Sequence, residues 1–132
     1  MLVRFAWIRG LLAVSAAVCL LNCVSCERNR ADLRIYNDGS SVLQQLTVLF
    51  PKDEVDFGDV GANVTTSYVP VPHGIGPYAA FRFVLNGVPV KQFVTDFVGW
   101  KPLSGKAFTY RVRIEPGRSQ PFLRVVEVVR DR

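Results

Sequence analysis

Apolar and polar side chains begin to alternate with period two at Leu33, and short runs of this kind continue to Val129 without any 3.6-residue helical repeat. The first run, Leu33-Arg34-Ile35-Tyr36, ends in the turn-forming cluster Asn37-Asp38-Gly39-Ser40-Ser41. In the second, Leu46, Val48 and Phe50 share one face and Pro51 ends the strand. Val55 and Phe57 form the matching face of a third run before Gly58-Asp59, and the β-branched run from Val64 to Val69 predicts a fourth strand. Pro70-Val71-Pro72-His73-Gly74-Ile75-Gly76-Pro77 is too rich in Pro and Gly for a paired central strand, which predicts a loop exposing Val71 and Ile75.

Asn86-Gly87 is the strongest local signal, because this pair supplies the two positive φ angles of a type I′ turn and alternating strands flank it. Phe81, Phe83 and Leu85 share a face before the turn; Val88, Val90, Gln92 and Val94 alternate with Pro89, Lys91 and Phe93 after it. The next strand places Phe108, Tyr110, Val112 and Ile114 inward and Thr109, Arg111, Arg113 and Glu115 outward, so one face is core and one is water. Glu115-Pro116-Gly117-Arg118 turns into a last strand, Phe122 to Val129, with a less regular alternation. About seven or eight short strands at this spacing predict an all-β fold, an antiparallel immunoglobulin-like β-sandwich. The cysteine pair and central Trp of antibody domains are missing, so only the general architecture is inferred.

The length of 132 residues leaves room for one such domain. All three cysteines, Cys19, Cys23 and Cys26, precede Glu27, which excludes a disulfide framework or Cys-based zinc site in the body, and one histidine cannot build a multi-His metal centre. No metal or cofactor is expected. Residues Met1 to Gly10 carry Arg4 and Arg9, Leu11 to Leu21 is apolar, and Cys26 follows Val24-Ser25, the layout of a secretory signal. The ending Val24-Ser25-Cys26 resembles a bacterial lipobox, with Cys23 where Leu is usual. That resemblance implies cleavage before Cys26 and its lipidation, giving a signal over residues 1–25, a short tether over 26–32 and the sandwich over 33–132. An ordinary cleaved signal and an uncleaved short anchor are the alternatives; the eleven-residue apolar run is about half of a ~20-residue span. All three place the domain outside the cytoplasm, at the inner or outer membrane or in the periplasm.

Without Arg4 and Arg9, 14 basic side chains face 11 acidic ones, a net +3. This weak, scattered bias argues against a nucleic-acid partner.

One constellation carries a family resemblance: Phe57-Gly58, then Ser67-Tyr68, then Asp96-Phe97-Val98-Gly99, then Pro102-Leu103-Ser104-Gly105, then Thr109-Tyr110. It is similar to an uncharacterised family of small exported bacterial proteins, many with lipoprotein signals. The resemblance covers roughly Leu33 to Glu115 and implies export and a β fold without assigning an activity. These residues suit structural roles: Gly58, Gly99 and Gly105 for unusual backbone conformations or close approaches, Asp96 for capping a turn, and Tyr110 for a buried hydroxyl that reaches a backbone partner.

No enzyme is expected. His73 lies in a Pro/Gly loop, Ser67 and Asp96 lack any triad spacing, and Asp53, Glu54, Asp56 and Asp59 lack the glycine and glutamate of an EF-hand. The first expectation is a membrane-anchored envelope module that binds a protein through a sheet edge or through the loop with Val71, His73 and Ile75. The second is a binder of carbohydrate or anionic polymer, such as peptidoglycan or lipopolysaccharide, using Trp100, Lys101, Arg111 and Arg113. A core plug at a corner explains Trp100 equally well.

Overall fold

A computed structural model of the chain describes residues 29–93 and 97–132. The expected signal, the expected lipid site Cys26 and Asp96, expected to cap a turn, lie outside the described residues. Eight strands form: β1 (Ala31–Asn37), β2 (Leu43–Leu49), β3 (Glu54–Val60), β4 (Val69–Val71), β5 (Ala80–Leu85), β6 (Val88–Lys91), β7 (Ala107–Glu115) and β8 (Phe122–Arg130). They build two four-stranded sheets, ordered β4-β1-β7-β8 and β3-β2-β5-β6. The all-β sandwich expected from the alternation is the observed fold.

Leu33, Ile35, Leu46, Val48, Phe81, Phe83, Phe108, Tyr110 and Val112 are all buried and line the space between the sheets. Removing such side chains from water, at about 25 cal/mol per Å² of apolar surface, is the main force holding the sheets together. Asn86 and Gly87 both take positive φ, 51° and 79°, and join β5 to β6 as the Asn-Gly pair requires.

Three local expectations are corrected. The run from Val64 to Val69 does not form a strand along its length: Thr65 makes one isolated bridge to Tyr36, and pairing resumes only at β4. Thr66 is held instead by its side chain, whose Oγ1 accepts the Ile35 N–H at 2.9 Å. Val71 belongs to β4, opposite Ala31 on β1, and is fully buried, as is Ile75. The prolines leave enough donors for three residues of edge pairing, and burial of two branched side chains favours closing the segment over the core.

Two features of pairing lie beyond the alternation pattern. β1 pairs with β7 in parallel, while the remaining neighbours are antiparallel. In β8, Val125 opposes Val112 and Glu127 opposes Arg111, so Val126 is an extra residue and the inward phase moves from Leu123 and Val125 to Val128. This bulge explains the irregular alternation of the last strand. A second irregularity lies between β2 and β3, where Gln45 takes φ 50°, Gly58 stands opposite Leu46 with φ 70°, and the Gln45 N–H donates to Asp59 at 3.0 Å.

β2 ends at Leu49 opposite Glu54 and Ala80, so the β2–β3 turn and the β4–β5 connection leave from one end of their sheet, where β6 also finishes. The chain enters at that same end: the Asn29 carbonyl and Pro102 close on Gly74, where a β-carbon would lie 2.8 Å from each.

Candidate functional site

Four pieces of chain meet at this end and enclose a cleft of about 350 Å³ lined by Asn29, Phe50, Pro51, Lys52, Asp53, His73, Phe97, Trp100 and Pro102. Phe50 supplies the buried floor, its ring 6.1 Å from that of Trp100 and 6.2 Å from that of Tyr110. A tight turn from Phe97 to Trp100, closed by the Trp100 N–H on the Phe97 carbonyl at 2.9 Å, carries the aromatic wall. Gly99 sits in that turn with φ 78°, a conformation that L side chains rarely adopt. Trp100 Nε1 donates to the Tyr78 carbonyl at 3.0 Å, and Leu103 N–H donates to the Ile75 carbonyl at 2.8 Å, which ties the wall to the β4–β5 connection.

On the opposite side, Asp53 accepts the His73 backbone N–H and faces His73 Nδ1, each at 3.0 Å. A carboxylate only accepts, so Nδ1 carries a proton and Nε2 is the ring nitrogen left for other contacts. The imidazole is about half exposed and Asp53 nearly covered. Lys52 is exposed at the rim beside them, and exposed Lys101 follows Trp100. The lining combines aromatic and proline surface with an imidazole, a carboxylate, an amide and an ammonium, and it holds no hydroxyl or thiol. That is the chemistry of stacking and polar recognition.

The structure unites Trp100, His73 and Lys101 around this end, and separates them from the other predicted contacts. Arg111 and Arg113 are on the outer face of β7, where both hold one oxygen of Asp38, at 2.9 and 2.6 Å, and Arg111 also reaches Glu127 at 3.2 Å. These contacts hold the Asp38 carboxyl below its ordinary range, Arg113 contributing first and Arg111 next. The two arginines are engaged within the fold. Val71 and Ile75 offer no exposed apolar contact, as described above.

The residues of the family-like pattern take structural positions. Phe57 is partly buried against the core, Gly58 serves the β2–β3 irregularity, and Gly105 lets Phe108 and Arg130 approach, where a β-carbon would be 2.7 and 2.9 Å away. Ser67 is exposed and its carbonyl accepts the Thr66 hydroxyl at 2.9 Å. The Tyr68 hydroxyl donates to Asp131 at 2.8 Å, and burial first and Asp131 second push its ionisation up. Tyr110 is fully buried and its hydroxyl donates to the Gly76 carbonyl, the backbone partner expected from its place in the core.

The acidic residues of β3 are likewise occupied: Glu54 lies 3.6 Å from Arg82, Asp56 accepts the Thr47 hydroxyl at 2.6 Å, and Asp59 accepts the Gln45 N–H. Among the described residues no three His, Cys, Asp or Glu side chains converge on a common point.

Sequence reasoning missed Phe50, Asp53 and Phe97 as cleft residues. Asp53 and His73 are 20 positions apart with no motif joining them. Phe50 reads from the sequence as a plain core position.

No family model matches the chain, and comparisons with curated proteins and with solved structures find no match.

Proposed function

We infer that this protein is an exported, membrane-anchored, non-catalytic module of the bacterial cell envelope that binds a protein partner by strand addition to β8. The supporting observation is the nine-residue edge that β8 presents at the end of its sheet, of which one residue, Leu123, is covered by Gln92. The Gln92 side-chain amide donates to the Leu123 carbonyl at 3.0 Å and accepts the Leu123 N–H at 3.4 Å, so one residue of β8 already pairs outward with an amide. β8 is nine residues long and ends its sheet, whereas β4 has three residues, β6 four with Pro89, and β3 an interrupted register. Arg124, Glu127, Val129 and Arg130 are exposed along β8. An extended segment can extend the ladder there, and the alternation of its charges gives specificity.

Photo-crosslinkers placed singly at Arg124, Val126, Glu127 and Val129 of the full chain in intact cells test this reading. The expected result is one defined envelope adduct whose yield rises and falls from position to position along the strand. Absence of an adduct, or equal yield at every position, overturns it.

The cleft favours a second reading, a carbohydrate ring stacked on Trp100, now without the help of Arg111 and Arg113. Trp100 is the sole tryptophan after residue 26, so unchanged fluorescence on adding peptidoglycan or lipopolysaccharide fragments rejects it.

A further inference from the structure

We propose that the cleft end of the sandwich docks on an anionic phospholipid surface, with the Phe97–Lys101 turn inserting and basic side chains around it meeting lipid phosphates. The proposal rests on the reading of the N-terminus as a membrane tether and adds which face of the domain meets the bilayer.

Chain connectivity is the first support. Asn29 lines the cleft, and Cys26 is three residues earlier, a reach of at most about 11 Å of extended chain. A lipid on Cys26 therefore holds this end of the domain at the membrane. The uncleaved alternative gives the same polarity, because the apolar run ends at Leu21, eight residues before Asn29.

Surface chemistry is the second. Val98, at the tip of the turn, is 82% exposed, with Phe97 and Trp100 on either side of the tip. An exposed apolar tip flanked by aromatic rings suits the boundary between headgroups and acyl chains, where tryptophan concentrates. Lys52 lines the cleft, Lys101 follows Trp100 and Arg30 follows the cleft residue Asn29; all three are exposed, and none forms an ion pair among the described residues. The acidic groups at this end are already engaged, Asp53 by His73, Glu54 by Arg82, Asp32 by Arg132 and Asp131 by Arg34. The rim is thus positive, complementary to a phosphate surface, while carboxylates such as Asp38 and Asp59 belong to the far end of the strands. Docking covers the cleft, so it competes with the carbohydrate reading and leaves the β8 edge open.

The test uses the full chain with Cys19, Cys23 and Cys26 replaced by Ser, keeping the apolar tether, and one new thiol carrying an environment-sensitive fluorophore. Val98→Cys reports on the tip; Val88→Cys, 61% exposed beside the Asn86-Gly87 turn at the other end of its sheet, is the control. The chain is reconstituted in vesicles of phosphatidylcholine alone or mixed with phosphatidylglycerol, with nitroxide-labelled lipid as quencher. The expected result is quenching at 98 and not at 88, stronger with phosphatidylglycerol. Lys52→Gln and Lys101→Gln each lower the docked-to-undocked ratio about fivefold. Chains that float with the vesicles but show equal quenching at 98 and 88 overturn the docking while sparing the tether. Chains that float with neither lipid composition overturn the docking together with the uncleaved-anchor form of the tether.

Discussion

A β-carbon on Gly76 would lie 2.2 Å from Nε1 of Trp100, so the indole packs directly on the peptide backbone of the β4–β5 connection. The same glycine accepts the Tyr110 hydroxyl, which makes it the point where cleft wall and core meet. Gly76→Ala should force Trp100 off the Tyr78 carbonyl and cost about 1–3 kcal/mol, the usual range for overpacking. Thermal unfolding followed by Trp100 emission checks it: a lower midpoint together with a red-shifted native spectrum is expected, and an unchanged spectrum contradicts the packing.

Tyr110→Phe removes the donor and leaves the buried Gly76 carbonyl without that partner, at a cost of about 1–3 kcal/mol near neutral pH. Burial pushes the Tyr110 phenol well above its ordinary range. The neutral phenol is therefore favoured by folding, its contribution is complete below the unfolded value near ~10, and it declines as pH rises beyond that. Denaturant unfolding between neutral and strongly alkaline pH should show a shallower alkaline decline in the variant than in the parent.

Asp38→Asn dissolves the bridge that joins the β1–β2 connection to Arg111 and Arg113. The folded carboxyl is held below its ordinary range, so its contribution is present above the unfolded value near ~3.9 and fades as pH falls through the folded one. The variant should be less stable at neutral pH, and its loss relative to the parent should shrink in acid. Urea midpoints across the acid range measure the two curves, and parallel curves would contradict the bridge.

Gly87→Val places a β-branched residue at φ 79° in the β5–β6 turn. A loss above about 1 kcal/mol is expected, since such a residue is a backbone outlier there. Asn86→Gly keeps the turn geometry and should cost far less, measured by the same unfolding midpoints.

Much of the fold was legible because half-buried antiparallel strands write their two faces into alternate residues. Phe108, Tyr110 and Val112 fell on the core face for that reason, and Asn86-Gly87 announced its own turn. The segment from Pro70 to Pro77 reads as an exposed loop because proline content reports lost donors and says nothing of burial, whereas Val71 and Ile75 lie in the core. The cleft was legible only as Trp100, Lys101 and His73 taken singly.

Local composition and period, then, determined the class of element, the turn at Asn86-Gly87 and the inward face of β7, since each is a property of neighbouring residues. The parallel pairing of β1 with β7, the closure of Asp53 on His73, the capture of Arg111 and Arg113 by Asp38 and the seating of Trp100 against Gly76 join residues roughly 20 to 75 positions apart. Such contacts are fixed by how two twisted sheets and their connections fill a common volume, which no local pattern encodes.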